Sequence, residues 1–341
     1  MFTALTTLLA LSHFVSPLAV PEPSPPSAKE IFQFPNPTFV ENIAVRPNGN
    51  LLLTIIANNT LFSLDPSNPS IASPVTSFPQ SNSLFGIAEI EPDVFAVNVG
   101  NFSLTDFKAD FGSFAVWKVD LRSYKCSEKG DVLSKATTSL ITAIPEAPIL
   151  NGLTSLRLGS PFVLSAGSDP GVVWRVNVHT GEYKVLLRDA LLEPAAGSTL
   201  PLGVNGVHVH APYLYFTNSF LQNGLLGRVP INLLTGDATG EFEVVVSDGG
   251  VDDFAIDGRG NVYMTKLDTF EVERVSPGGE VEVVVGGPDQ TIVEGVTSCA
   301  FGRGRRDERT LYVTTNGGSL GTLPATYRTG GKVVAVDLKR V

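Results

Sequence analysis

The same short phrase occurs six times along the chain: two small or polar residues, an apolar strand, a turn and a second apolar strand. Repeats of this length and strand content are typical of radial β-architectures, in which each copy forms one blade. Six copies predict an all-β fold, a six-bladed β-propeller whose innermost strands surround one central mouth. The copies open with Glu41-Asn42, Phe85-Gly86, Asn151-Gly152, Asn205-Gly206, Asp252-Asp253 and Thr297-Ser298.

The spacing of the copies fits four-stranded blades, with two irregularities. The interval after the second copy is long. Its extra residues form a polar stretch at 124–147, which predicts an insertion around an outer strand. The last copy is incomplete, whereas the strand-like segment 29–34 precedes the first copy without a blade of its own. We therefore predict that 29–34 forms the outer strand of the last blade, which closes the ring and covers a sheet edge. The propeller domain is expected to span 29–341.

Composition agrees with one closed domain of short strands. A length of 341 residues could hold two domains, but blades that pack on their neighbours form a single ring. The 33 glycines and 24 prolines suit tight turns between strands. The net charge is −10, and the only basic cluster, at 303–309, is mixed with acidic residues. A nucleic-acid partner is therefore not expected.

The N-terminus predicts export. Apart from His13, residues 1–19 are apolar or hydroxylated and end in small residues, as a secretory signal peptide does, and 20–28 form a Pro/Ser-rich linker. The alternative is a membrane anchor, for which the interrupted stretch is marginal. We expect a secreted or secretory-pathway protein with no membrane span after signal removal. Sequons at Asn58 and Asn101 are candidate glycosylation sites. Cys126 and Cys299 are predicted to be free thiols, since one lies on an outer stretch and the other on an inner strand.

Four of the repeat openings carry residues that could do chemistry. The six-fold repeat would bring Glu41, Asn151, Asn205 and Asp252 to one mouth, as two carboxylates and two amides. Hard oxygen ligands of this kind suit Ca²⁺ or Mg²⁺. The alternative is structural, because Asn-Gly and Asp-Asp pairs are also good turn residues.

Other candidates lie along the first two strands of each blade. His208 and His210 alternate on one strand, and His208, nearer the expected mouth, is the better candidate for acid–base work or metal binding. Phenylalanines could wall a pocket for a bulky ligand, although each could equally pack between blades. The aromatic candidates are Phe85, Phe102, Phe220 and Phe254, and the polar candidates at strand ends are Asn98, Ser165, Asn218, Lys266 and Asn316.

Several segments resemble a known family. FVENIAVRPNGNLLLT, NGLTSL, NGVHV, VDDFAIDGRGNVYMT and TLYVTTNGG are similar to fungal members of the SMP-30/gluconolactonase-like (calcium-dependent phosphotriesterase) superfamily, over about residues 29–341. In its metal-dependent lactonases a Glu, an Asn and an Asp hold the cation, and the matching positions here are Glu41, Asn205 and Asp252. The Glu-Gly-Pro of those lactonases is replaced here by Glu41-Asn42-Ile43.

The Glu-Asn-Ile-Ala-Val opening instead resembles a secreted subgroup, the hetero-Diels–Alderases of tropolone–sesquiterpenoid pathways. That resemblance implies an enzyme of secondary metabolism that joins a tropolone quinone methide to a sesquiterpene alkene without a cofactor. Its partners would be hydrophobic small molecules. His208, Asn205 or Lys266 would then bond the polarised carbonyl, with Asp252 as a further catalytic candidate. The expected substrate contacts are Glu41, Asn98, Asn151, Asn218, Phe220 and Asn316.

Two other hypotheses remain. The chain could be a lactonase or esterase that uses Ca²⁺ or another divalent cation held by Glu41, Asn205 and Asp252, with Asp252 activating water. It could also be a propeller that binds a ligand or a partner protein without catalysis.

Overall fold

The computed structural model describes residues 26–198, 202–247, 249–318 and 328–338. It confirms a six-bladed β-propeller: six four-stranded antiparallel sheets, with each innermost strand contacting those of the two neighbouring blades. The predicted signal peptide and most of the linker lie outside the described residues. Within the described residues, no helix is long and apolar enough to cross a membrane.

The strands are numbered β1 to β28 in chain order. Blade 1 contains β2 (Phe39–Val45), β3 (Leu51–Ile56), β4 (Thr60–Leu64) and β5 (Ala72–Ser77). Blade 2 contains β6 (Ser83–Glu91), β7 (Val94–Gly100), β10 (Ala115–Asp120) and β13 (Thr137–Ala143). Blade 3 contains β14 (Ile149–Ser155), β15 (Phe162–Asp169), β16 (Val172–Asn177) and β17 (Tyr183–Arg188).

Blade 4 contains β18 (Val204–His210), β19 (Tyr213–Asn218), β20 (Leu225–Pro230) and β21 (Glu243–Ser247), with a 3₁₀ turn at Leu221–Asn223. Blade 5 contains β22 (Val251–Ile256), β23 (Val262–Lys266), β24 (Glu271–Val275) and β25 (Val281–Gly286), followed by a 3₁₀ turn at Thr291–Val293. Blade 6 contains β26 (Val296–Phe301), β27 (Thr310–Thr315), β28 (Lys332–Asp337) and β1 (Ser27–Gln33).

The predicted ring closure is confirmed. Strand β1 pairs antiparallel with β28 as the outermost strand of blade 6, so the first segment of the domain completes the last sheet. The strand begins at Ser27, two residues before the expected start of the domain. Because β28 is paired on both sides, it offers no free edge to another chain.

Blade 2 carries the predicted insertion. Its outer strand β13 follows a small two-stranded excursion formed by β11 (Lys125–Cys126) and β12 (Val132–Ser134). A second excursion, the hairpin of β8 (Phe102–Ser103) and β9 (Lys108–Ala109), leaves the ring directly after β7. Both cysteines are free, as predicted; Cys299 is buried and Cys126 is half-buried.

The apolar core lies between blades. Six clusters of buried side chains occur among the described residues, and each joins the facing sheets of adjacent blades. The cluster between blades 6 and 1 includes Phe34, Val40 and Tyr312, which ties the closing segment to both. Since every blade buries both faces, burial of apolar area holds the ring together without a central core.

Candidate functional site

Each innermost strand contains a β-bulge at the opening pair of its repeat. The register between the first and second strands breaks at these pairs in all six blades. A bulge leaves residues outside the ladder and re-aims their side chains. The repeated small or polar pair therefore marks the position of a β-bulge, which points side chains at the axis of the ring.

The first residues of the pairs in blades 1 to 5 line one pocket, which brings together the four predicted polar residues. Glu41, Asn151, Asn205 and Asp252 line it, and their side chains are buried. We call it the mouth pocket; its open space, counted together with the solvent at its entrance, is about 540 Å³, and its cavity volume is about 70 Å³. Its walls are mostly apolar and include the predicted Phe85, Phe102 and Phe220. The full set is Phe39, Ile56, Phe85, Phe102, Phe107, Ile149, Leu202, Ser219, Phe220 and Leu267.

The second residues of the pairs divide the ring into two halves. Blades 2, 3 and 4 have glycine at this position. A Cβ on Gly152 would lie 2.5 Å from the carbonyl oxygen of Asn205. Only glycine therefore lets the inner strands of blades 3 and 4 come this close. Blades 5, 6 and 1 have Asp253, Ser298 and Asn42. Asn42 Nδ2 and Ser298 Oγ both donate to Asp253 Oδ2, each at 2.9 Å. We call these three residues the plug, because they lie directly beneath the floor of the mouth pocket.

Burial controls the charge of the mouth acids. It raises the pKa of Glu41 to about 8, and the negative charge of Asp253 adds to the shift. Burial, then the charges of Glu41 and Asp253, hold the pKa of Asp252 well above its usual range. The hydrogen bond from Asn205 Nδ2 to Asp252 Oδ1, 2.7 Å long, opposes that shift. Near neutral pH, Glu41 is therefore mainly protonated, and its carboxylic acid can donate a hydrogen bond into the pocket.

Asp253 differs from its neighbour although it is equally buried. Burial alone would raise its pKa, but His208, the amide of Phe254 and Ser298 together hold it below the usual value. His208 Nε2 lies 2.9 Å from Asp253 Oδ1, on the side away from Asn42 and Ser298. Asp253 is therefore a structural anion, and its hydrogen bonds connect blade 5 to blades 1, 4 and 6.

His208 does not line the mouth pocket, in contrast to its predicted position. It follows Asn205 by three residues on β18, which carries it about 10 Å farther along the strand. There it passes the plug and lines a second cavity, together with Ile43 and Leu153. Its ring packs edge-on against Phe254, with centroids 4.7 Å apart. Phe254 itself is buried and is not part of the mouth pocket.

The polar candidates at the ends of second strands also lie outside the mouth pocket. Asn98 Nδ2 donates to the carbonyl of Asn151 in the next blade, at 2.7 Å, and to Ser165 Oγ. A bulge frees carbonyls of this kind from the ladder, and a buried carbonyl needs a donor. Thr265 Oγ1 does the same between blades 5 and 6, where it donates to the Thr297 carbonyl at 3.0 Å, and Thr297 Oγ1 does so between blades 6 and 1, where it donates to the Val40 carbonyl at 2.7 Å.

The three remaining polar candidates have structural contacts. Asn218 Nδ2 donates to the carbonyls of Leu191 and Glu193, which fixes the loop before blade 4. Asn316 Oδ1 accepts from the Gly318 amide at 2.9 Å. Lys266 Nζ lies 3.5 Å from Glu273 Oε1 in an ion pair with both side chains buried. None of these three residues lines the mouth pocket.

Sequence reasoning identified Phe102 as a wall candidate but missed the aromatic hairpin of β8 and β9 that carries it, together with Phe107, at the mouth. Phe85 of the ring contacts Phe102, and Phe102 contacts Phe107, both edge-to-face, at 5.9 and 5.2 Å between centroids. Phe107 has a left-handed backbone, with φ of 52°, which is uncommon for an aromatic residue. The signal was present in the sequence, because the extra residues after β7 contain aromatics in a loop that the repeat does not require.

The two sequons take different positions. Asn58 lies in the turn between β3 and β4, as predicted, where its Oδ1 accepts from the Thr60 amide at 2.9 Å. Asn101 directly precedes the aromatic hairpin, and its Oδ1 accepts from the Asn82 amide at 3.0 Å. A glycan on Asn101 would therefore stand beside the mouth pocket, and one on Asn58 would not. Glycosylation at both positions stays a prediction.

The oxygen atoms at the floor of the mouth pocket are of the kind that a hard divalent cation binds. Glu41 and Asp252 bring two carboxylates to one floor, with amide oxygens from Asn151 and Asn205 nearby. Their raised pKa values mean that a proton or a cation must offset charge at this floor. Among the described residues, however, no cluster of three or more His, Cys, Asp or Glu side chains could hold a metal ion.

Comparison with known proteins agrees with this geometry. Residues 214–317 match the family described as SMP-30/Gluconolactonase/LRE-like region. The resemblance predicted from the sequence is confirmed. Two curated relatives are each 26% identical: "Putative hetero-Diels-Alderase" of Phoma sp., covering 93% of this chain and 95% of that protein, and a similarly named protein of Sarocladium schorii, covering 91% and 82%.

Solved structures show the same fold. Regucalcin from Agrobacterium tumefaciens, described as a calcium-binding protein, superposes with a TM-score of 0.60 at 16% identity, covering 92% of this chain and 95% of that one. A luciferin-regenerating enzyme superposes with a TM-score of 0.62 at 15% identity, with the same coverage. At these identities the likeness concerns the propeller alone.

Proposed function

We propose that the chain is an enzyme that catalyses a hetero-Diels–Alder reaction in the mouth pocket, joining a conjugated carbonyl compound to an apolar alkene. The observation that carries the proposal is the pairing of a buried, mainly protonated Glu41 with walls of phenylalanine and aliphatic side chains. The full-length relatives named as hetero-Diels-Alderases support it. The substrate class proposed is a quinone methide of tropolone type with a sesquiterpene alkene of humulene type.

The reaction asks little of the protein beyond binding and one hydrogen bond. In the cycloaddition one C–C and one C–O bond form while three π bonds become one, so no proton, electron or water is gained or lost. Glu41, as an acid, donates to the carbonyl oxygen of the heterodiene and stabilises the negative charge that builds on it. The apolar walls hold the alkene against the diene and exclude water, which would otherwise add to a quinone methide.

Two variants of Glu41 test the donor. Glu41→Leu removes it and is expected to lower the rate constant about 100- to 1,000-fold, the usual effect of losing one such donor. Glu41→Gln keeps a weaker N–H donor and should fall between. The assay generates an o-quinone methide in the presence of humulene and measures both initial rate and enantiomeric excess, since a chiral pocket yields one enantiomer. Racemic product at the uncatalysed rate with the native protein would refute the proposal.

The pH profile gives a second readout of the same residue. Because the pKa of Glu41 is raised to about 8, the donor is present through neutral pH and is lost above about 8. Activity should therefore be flat below pH 7 and decline with one proton dissociation near pH 8. A decline that persists unchanged in Glu41→Gln would assign it to another group.

A metal-dependent lactonase is the second candidate, because Glu41, Asn205 and Asp252 do lie together on the floor of the pocket. A cation held by these residues would polarise a lactone carbonyl, and Asp252 would be the base. The two functions separate on chelation. Lactonase activity would disappear with EDTA and return with Ca²⁺, whereas cycloaddition should be insensitive to both. A protein that performs neither reaction, with or without Ca²⁺, would favour the non-catalytic binding propeller.

A further inference from the structure

A second cavity occupies the far end of the ring, beyond the plug. Its open space, counted together with the solvent at a wide entrance, is about 870 Å³, and its cavity volume of about 390 Å³ lies within the range of small-molecule sites. Its walls come from the inner strands after their bulges, and most are apolar. The lining side chains used below are Ile43, Ile87, Leu153, Leu158, Phe301 and, as the polar group at its inner end, His208. We call this cavity the far pocket.

His208 is held so that one ring nitrogen is committed and the other is available. Its Nε2 faces Asp253 Oδ1 at 2.9 Å, and its ring is fixed edge-on against Phe254 at 4.7 Å. Asp253 Oδ2 already accepts hydrogen bonds from Asn42 and Ser298. The histidine side chain keeps 34% of its surface exposed, and Nδ1 has no hydrogen-bond partner among the described side chains.

The surroundings of Asp253 define what Nδ1 can do. The ionised carboxylate of Asp253 only accepts hydrogen bonds, so Nε2 carries the proton of the shared bond. Nδ1 is then left for a ligand, and a hydroxyl group can bond to it because a hydroxyl both donates and accepts. This arrangement is supported from behind by three blades, which makes His208 a rigid polar group at the end of an apolar cavity.

The charges on the rim of the far pocket compensate each other. Arg303 Nη1 donates to Glu89 Oε2 and to the Val45 carbonyl at 3.0 Å. The pair therefore presents no net charge to a ligand, and a strongly anionic or cationic molecule gains little there. An uncharged molecule with an apolar body and one hydroxyl group matches the site better.

We propose that the far pocket is a second ligand site, separate from the mouth pocket, that binds a neutral one- or two-ring phenol or enol through a hydrogen bond between its hydroxyl and His208 Nδ1. Ile43, Ile87 and Leu153 contact the rings, and the plug prevents the ligand from reaching the mouth acids. The site does not depend on the reaction assigned to the mouth pocket, and either could fail without the other.

A pair of ligands that differ by one hydroxyl group tests the hydrogen bond. 2-Naphthol and naphthalene have the same rings, but only the first has a hydroxyl group. Calorimetric titration of the native protein should show about three- to tenfold tighter binding of 2-naphthol, the usual net effect of one neutral hydrogen bond. His208→Phe should abolish this preference by weakening 2-naphthol only. A preference that survives in His208→Phe would overturn the proposal.

A second set of variants tests which of the two pockets holds the ligand. Leu158 lines the far pocket and is 49% exposed, so Leu158→Asp should fold normally and weaken both ligands at least threefold. Leu234→Asp, at an exposed leucine elsewhere, is the matched control and should have no effect. Phe220→Ala, in the mouth pocket, should also leave both affinities unchanged. Weakening by Phe220→Ala, with Leu158→Asp like the native protein, would place the ligand in the mouth and refute the far pocket.

Discussion

Glu41 provides the sharpest test of the electrostatics, because its charge should destabilise the fold. Its pKa is about 8 in the folded protein against an ordinary value of 4.5. Below pH 4.5 both states hold the proton, and Glu41 has no effect on the pH dependence. Between pH 4.5 and 8 only the folded state holds it, so the free energy of unfolding falls by 1.36 kcal/mol per pH unit. Above pH 8 both states are ionised, and the full loss is about 5 kcal/mol.

Glu41→Gln removes this loss while it keeps the shape of the side chain. The variant should therefore match the native protein near pH 4.5 and exceed it by up to about 5 kcal/mol at pH 8.5. For a domain of about 300 residues, this corresponds to a melting temperature roughly 8 °C higher. The variant also removes a negative charge that raises the pKa of Asp252, which adds in the same direction.

The assay is urea denaturation at pH 4.5, 6.5 and 8.5, with EDTA present so that no cation offsets the carboxylates. Glu308→Gln, at the exposed tip of the last hairpin, controls for the loss of one negative charge from the whole chain. A stability difference between Glu41→Gln and the native protein that is the same at all three pH values would refute the argument. A variant less stable than the native protein at pH 8.5 would do so as well.

Three further perturbations test the ring itself. Gly152→Ala should lower stability by about 1–3 kcal/mol because its Cβ meets backbone of blade 4 at 2.5 Å, whereas Gly258→Ala, with no atom within 4 Å, should be close to neutral in the same thermal melts. Deleting Ser27–Gln33 from a chain that starts at residue 26 should reduce the melting temperature sharply by exposing the edge of β28, and an unchanged value would contradict strand closure. Thr297→Val should cost about 1–3 kcal/mol in urea denaturation, since it leaves the buried Val40 carbonyl without its donor; no loss would show that another donor replaces it.

The repeat was sufficient to predict the blades, the closing strand and the residues of the mouth. All of these follow from periodicity, which a single sequence displays. The bulges did not follow, because they depend on how two strands pair, and pairing register cannot be read from one strand. Asn98 shows the consequence: its position suggested a substrate contact, yet it donates to the Asn151 carbonyl that the next bulge releases.

The predicted position of His208 was wrong for a related reason. Counting along β18 places it close to Asn205, but the plug separates the two, and the plug forms only when Asp253, Ser298 and Asn42 meet from three distant parts of the chain. One signal could have revealed it. The second residue of the opening pair is glycine in three consecutive blades and polar in the other three, so the centre of the ring could not be symmetric.

Asp252 and Asp253 are adjacent in the sequence, but their carboxylates have different surroundings on opposite sides of the mouth floor. Both carboxylates are buried, so desolvation pushes both pKa values upward. Asp253 faces Asn42, Ser298 and His208, whose hydrogen bonds stabilise the anion. Asp252 faces Glu41 and receives one amide hydrogen bond, which cannot offset the neighbouring charges. Environment rather than residue type thus makes one acid a fixed structural anion and raises the pKa of the other, at the mouth. A reaction that needs a neutral hydrogen-bond donor in an apolar pocket can therefore use Glu41 at the mouth floor, while the anion beneath it raises the pKa values of both mouth acids and orients His208 in the far pocket.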